Sequence, residues 1–172
     1  MRLISVNVNK ARGVSMTDNE YVQRVREMEN RLYRIAQAML WRHADCVDAV
    51  QETVFRGWMK KRSIRERSYF ETWIIRILIN VCKDILRRRR HEGVELPEDL
   101  HSQEQLCENL HLRLTLRQMP EKYRMLLLLH YMEGYSHAEI SRILKIPLTM
   151  VNSRMHQARR MLRTKLEGGD AE

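Results

Sequence analysis

Residues 136–160 read Ser136-His-Ala-Glu-Ile-Ser-Arg-Ile-Leu-Lys-Ile-Pro-Leu-Thr-Met-Val-Asn-Ser-Arg-Met-His-Gln-Ala-Arg-Arg160. Ser136 followed by Glu139 is the pairing that reciprocally satisfies the orphan amides at a helix start. Ile140, Ile143 and Leu144 then form one apolar face of a short helix. Lys145-Ile146-Pro147 interrupts it, because proline cannot continue a helix interior. Val151, Met155, Ala158 and Leu162 follow at spacings of 4, 3 and 4 and give a second helix its buried stripe. Two helices joined by so short a turn predict a helix-turn-helix. The opposite face of the second helix is left exposed, presenting Thr149, Asn152, Ser153, His156, Gln157, Arg159, Arg160 and Arg163. Amide, hydroxyl and guanidinium groups together suit base edges and phosphates. A solvated helix of a bundle would share this period but would balance its cations with Glu at i+4, and no acid occurs between Glu139 and Glu167. One position is awkward: the turn carries Lys145 where a glycine would take left-handed dihedrals without strain.

Outward from this segment the apolar residues recur at helical spacing, and no stretch alternates with period two, so the fold class is all-α. A first helix is expected from about 18 to 41 behind Thr17/Glu20, burying Val22, Val25, Met28, Leu32, Ile35 and Met39. A second is expected from a cap at Asp45 to about Lys61. A third carries Phe70, Trp73, Ile74, Ile77, Leu78, Val81 and Ile85 behind Ser68/Glu71. Residues 92–111 hold six acids and no Lys or Arg, and Ser102/Gln105 precedes a resumption of helicity at Leu106, Leu110 and Leu114. A break at Met119-Pro120 follows, then a helix bearing Tyr123, Leu126, Leu127 and Met132 that stops at Gly134. The expected organisation is two small helical domains joined by an acidic linker. Residues 1–16 are unassigned or disordered, 17–92 form the first domain, 93–104 the linker, 105–167 the second domain and 168–172 a tail.

The charge is distributed to match. The chain has 31 basic and 22 acidic residues, a formal net charge of +9, which favours a polyanionic partner. Seven of the cations lie in 136–165 against the single acid Glu139. Three dispersed cysteines, Cys46, Cys82 and Cys107, form no CxxC pair and no metal-ligand spacing, which predicts reduced thiols in the cytosol and no metal or other cofactor. No apolar run reaches the roughly 18 residues of a membrane span, and no signal peptide is recognisable. The absence of a Gly-rich phosphate loop or a nucleophile-base pair argues against an enzyme.

Two further features precede the helix-turn-helix. On the third helix Arg76, Asn80, Lys83 and Arg87 fall at i, i+4, i+7 and i+11, opposite the apolar stripe and leading into Arg87-Arg88-Arg89-Arg90. Tyr69, Phe70 and Trp73 lie just ahead among Arg62, Arg65 and Arg67; aromatics among cations suit single-stranded DNA. Phe70 and Trp73 also fit the core period, which leaves Tyr69 and its loop as the exposed part. The second helix mixes Asp45, Asp48, Gln51 and Glu52 with Phe55 and Trp58, a composition for a protein partner or for an ordinary bundle helix with an acidic start.

In this order the three features resemble the extracytoplasmic-function group of bacterial sigma factors, over roughly residues 22–166. Asp45-Cys-Val-Asp-Ala-Val-Gln-Glu-Thr-Val-Phe-Arg-Gly-Trp58 resembles that group's core-polymerase-binding helix. Phe70-Glu-Thr-Trp-Ile-Ile-Arg-Ile-Leu-Ile-Asn80, followed by Asp84 and Leu86-Arg87-Arg88, resembles the helix that melts and reads the minus-ten element. Met119-Pro120 and Glu133-Gly134-Tyr-Ser136 with the helix-turn-helix resemble the domain that reads the minus-thirty-five element. The resemblance implies core-polymerase contacts at Asp45, Asp48, Gln51, Glu52, Phe55 and Trp58. It implies minus-ten contacts at Tyr69, Arg76, Asn80, Lys83, Arg87 and Arg88, with a base captured by the loop 62–70 near Asn80. It places minus-thirty-five contacts at Thr149, Asn152, Ser153, Arg154, His156, Gln157, Arg159 and Arg160. Core RNA polymerase, promoter DNA and an anti-sigma factor are the implied partners, without membrane insertion. Asn152, where the group often has a basic residue, and Lys145, where it usually has glycine, depart from the pattern and leave the promoter preference open. The residues alone also admit a freestanding helix-turn-helix regulator or a basic membrane-surface or scaffold protein.

Overall fold

The computed structural model describes residues 16–64, 66–91 and 110–167. Helix α1 (Asp18–Leu40) starts at Thr17, whose hydroxyl accepts the Glu20 amide at 3.2 Å. Its buried stripe is Tyr21, Met28, Leu32, Ile35, Ala36, Met39 and Leu40. Val22, expected inside, is 39% exposed, and Tyr21 takes the inner position. The Tyr21 hydroxyl donates to the Val54 carbonyl at 2.7 Å, so the ring buries its apolar body while its polar end is satisfied. Met16, placed in the unassigned leader on sequence grounds, is buried as well.

Helix α2 (His43–Lys60) begins three residues earlier than expected, with Arg42 at the cap position and no side-chain cap. Asp45 therefore does not cap it but lies inside the first turn, buried and ion-paired with Arg89. Gly57 lets α1 approach, since a Cβ there would collide with the Tyr21 hydroxyl and stand 2.8 Å from Ile74. Helix α3 (Phe70–His91) fills the remaining side of the core with Phe70, Ile74, Ile75, Leu78, Ile79, Val81, Cys82 and Ile85. Trp73 and Ile77 are only partly buried and pack at its edge.

The second domain comprises α4 (Leu110–Arg117), α5 (Glu121–Leu127), α6 (His137–Leu144) and α7 (Leu148–Glu167). Pro120 stands at the cap of α5. A single wide π turn, Leu128–Met132, extends α5, and the chain then reverses through Gly134 at φ +76°, the left-handed geometry expected there. Met132 at the end of that turn is 42% exposed. Ser136 caps α6 in the reciprocal box, its hydroxyl accepting the Glu139 amide and Glu139 accepting the Ser136 amide at 2.9 Å. Lys145 adopts φ 54°, ψ 45°, a left-handed conformation that strains a non-glycine residue by about 1–2 kcal/mol. The turn is secured by the Ser141 hydroxyl donating to the Ile146 carbonyl at 2.6 Å. No strand occurs among the described residues. The acidic linker, the Ser102/Gln105 box, Leu106 and Cys107 lie outside them, as does the tail.

Candidate polymerase and nucleic-acid interfaces

Helix α2 turns one unpaired stripe outward. Asp48, Gln51, Phe55 and Met59 follow at spacings of 3, 4 and 4, and Phe55 and Met59 are 61% and 68% exposed. Large apolar groups exposed in one row are what a protein partner would cover. Met59 was missed from sequence because the resemblance ends at Trp58, although the period includes it. The other named residues serve the helix pair. Asp45 is tied to Arg89 of α3. Glu52 holds Arg56 at 2.6 Å, and Arg56 reaches Asp84 of α3 at 3.3 Å. Trp58 stacks edge-on to Tyr21, with the Lys61 ammonium 3.2 Å above its ring centre.

On α3 the polar stripe is present. Asn80, Lys83, Arg87 and Arg88 are exposed and Arg76 is half-buried. Arg87 is held by Asp84 at 3.0 Å. Tyr69 is 44% exposed, whereas Phe70 is buried under it, matching the division expected between the loop and the core. The Arg142 guanidinium of α6 lies over the Tyr69 ring at 5.3 Å.

That contact belongs to a junction between the two domains. Glu133, whose side chain is 1% exposed, accepts two bonds from Arg34 at 2.9 Å and is ion-paired with Arg31 at 3.2 Å. Arg31 also meets Glu71 at 2.8 Å and the Tyr135 hydroxyl at 3.1 Å. Burial pushes the Tyr135 phenol up to about 12. Arg124 is 8% exposed and donates to the Ala38 carbonyl of α1 at 2.8 Å and to the Met119 carbonyl at 3.1 Å, stacking over Trp41. Burial lowers its pKa without a carboxylate bonded to it. A polar cavity of about 650 Å³ adjoins the junction, lined in part by Arg24, Arg31, Arg34, Phe70 and Glu71. Sequence reading found none of this cluster, since its partners lie about a hundred residues apart and form no local pattern.

Helix α7 presents its face as expected. Thr149, Asn152, Ser153, His156, Gln157, Arg159, Arg160 and Arg163 are exposed over buried Val151, Met155 and Ala158, with Leu162 partly buried. Arg154 is half-buried at the flank. Leu148 and Met150 add exposed apolar groups at the helix start. Two residues outside the helix touch this face: His137 Nδ1 lies 2.7 Å from Asn152 Oδ1, and the Tyr123 hydroxyl donates to Gln157 Oε1 at 2.8 Å. Among the described residues no helix is long and apolar enough to cross a membrane, and no group of three His, Cys, Asp or Glu could hold a metal.

Known proteins divide along the same boundary. Residues 24–92 match sigma-70 region 2 and residues 110–162 match sigma-70 region 4. The chain is 31% identical over 160 residues to the extracytoplasmic-function RNA polymerase sigma factor SigE of Mycolicibacterium smegmatis, covering 86% of this chain and 62% of that relative's length. It is 27% identical to SigW of Bacillus subtilis over 159 residues, covering 80% and 84% of the two. Its fold is similar to that of the sigma factor RpoE from Bartonella quintana, solved with the anti-sigma factor NepR, at a TM-score of 0.77 and 22% identity over 87% of this chain and 98% of that one. With a region 2 domain and a region 4 domain in this order, the chain belongs to the extracytoplasmic-function group of the sigma-70 family of transcription initiation factors.

Proposed function

We propose that this chain binds core RNA polymerase and directs it to a specific set of promoters, supplying recognition and strand melting without catalysing a reaction itself. The carrying observation is the exposed face of α7, free of acids from Leu148 to Leu166 and set by a capped α6 and a buried stripe so that its start is offered to a major groove. Core polymerase docks on α2 through Asp48, Gln51, Phe55 and the neighbouring Met59, with Asp45, Glu52 and Trp58 fixing that helix against α1 and α3. Tyr69 and the stripe Arg76, Asn80, Lys83, Arg87 and Arg88 hold the melted strand, the ring stacking on a base while the cations follow phosphates. Thr149, Asn152, Ser153, Arg154, His156, Gln157, Arg159 and Arg160 engage the upstream duplex. The chain works in the cytoplasm, where its template is. An anti-sigma factor completes the set of partners, a reading supported by the complex in which the similar RpoE was solved.

Equilibrium binding to purified core polymerase tests the docking surface. Gln51→Ala with Phe55→Ala weakens binding at least tenfold, the effect of losing an exposed aromatic anchor, while duplex binding by α7 is unchanged. Unaltered core affinity would remove α2 from the interface.

A further inference from the structure

Helix α7 carries two side-chain amides in its exposed face, and in both the carbonyl end is already turned onto a protein donor. An amide oxygen only accepts, so His137 meets Asn152 Oδ1 with its Nδ1 protonated. The Tyr123 hydroxyl plays the same part for Gln157 Oε1. The two donors come from different elements, His137 from the first turn of α6 and Tyr123 from α5. At about 100° per residue, Asn152 and Gln157 fall on opposite edges of the exposed face, with Thr149, Ser153, His156 and Arg160 between them. Each amide nitrogen, a donor with no accepting capacity, is the end left to meet DNA.

This orientation bears on which base can be read. Adenine is recognised by Asn or Gln through both amide ends at once, the nitrogen donating to N7 and the oxygen accepting from N6. With the oxygen turned back onto His137 or Tyr123, the two ends cannot face one adenine edge together. Guanine offers N7 and O6, two acceptors side by side, and satisfies a donor-only group. We propose that His137 and Tyr123 are positioning residues that fix Asn152 and Gln157 as hydrogen-bond donors, so that α7 selects guanine rather than adenine at both edges of its footprint. This rests on the assignment of α7 to the upstream duplex.

The test is transcription by core polymerase loaded with the full chain, on a promoter library randomised in the upstream element, with transcripts sequenced. The unaltered chain enriches guanine at two separated positions. Tyr123→Phe, which keeps the ring and removes only the hydroxyl, raises the adenine-to-guanine ratio at one of them by roughly tenfold, the scale of one bidentate base contact. His137→Phe does the same at the other. Asn152→Asp, which keeps the size and removes the donor, abolishes the guanine preference at its own position. A merely structural role for His137 or Tyr123 would lower transcription from all sequences alike, and that uniform loss would overturn the proposal by making the amides phosphate contacts. Identical base ratios in all variants, or adenine enriched by the unaltered chain, would overturn it too. Specific starts with unshifted ratios sink only this inference, whereas no specific start from any library member sinks the promoter-reading assignment along with it.

Discussion

The two helices that carry the basic stripes are placed very differently. On α7 the cations Arg159, Arg160 and Arg163 stand in solvent, and no ion pair holds them among the described residues. On α3 the carboxylates and two of the arginines are engaged within the chain, Glu71 with Arg31, Asp84 with Arg56 and Arg87, and Arg89 with Asp45, while Asn80, Lys83 and Arg88 stand exposed. Tyr69 ahead of it carries the Arg142 guanidinium over one side of its ring and is 44% exposed. These region 4 cations are therefore unpaired among the described residues, whereas the region 2 stripe is only partly so, with Arg87 paired to Asp84 and Tyr69 lying under Arg142. A charge stripe in a sequence specifies a face, but the tertiary partners decide how much of it is available.

The difference extends to the interiors, and alkali should expose it most strongly. Burial raises Cys46, Cys82 and Tyr21 in the first domain to about 12 each, and among the described residues of the second only Tyr135 matches them. The folded chain holds these groups protonated above the pH at which unfolded thiols ionise, about 8.5. Their contribution is intact below that pH and is lost as pH rises toward the folded values, on the order of 1 kcal/mol per pH unit for each thiol. Chemical denaturation from pH 8 to 11 should show region 2 weakening ahead of region 4; equal loss in both would contradict the burial of the thiols.

Glu133→Ala acts on the junction itself. It leaves Arg31 and Arg34 without their buried carboxylate, a loss of about 2 kcal/mol, and should increase the radius of gyration measured by small-angle scattering. An unchanged radius and unfolding midpoint would mean that the junction does not hold the domains together. The smallest effect concerns the open face. Arg159→Ala should weaken promoter binding about equally across sequences and reduce the salt slope by about one. A change confined to certain sequences would make Arg159 a base reader instead of a phosphate contact.

How much of this could be read in advance follows from the range of each interaction. The helix-turn-helix was legible in its cap, period and turn, which are all local, while the left-handed geometry of Lys145 was one of two ways the turn could close and only the structure decides it. The α1 stripe was legible except at its head: Tyr21 displaces Val22 because a carbonyl on α2 satisfies its hydroxyl, a contact 33 residues away. Asp45 looked like a cap and is a buried partner of Arg89, which only the pairing of α2 with α3 reveals. The amide contacts of His137 and Tyr123 were invisible for the same reason, though the residues they hold were named from their position on the helix. Composition suggested a nucleic-acid partner, while the junction around Glu133 left no trace in any local window.

If the proposed function holds, this chain confers start-site choice on RNA polymerase. Run-off transcription with purified core polymerase on a pool of genomic promoters, with and without the chain, tests it most directly. New, discrete starts that require the chain and share a common upstream element are expected. Duplex binding retained by the chain with no new starts would contradict it and favour a freestanding regulator.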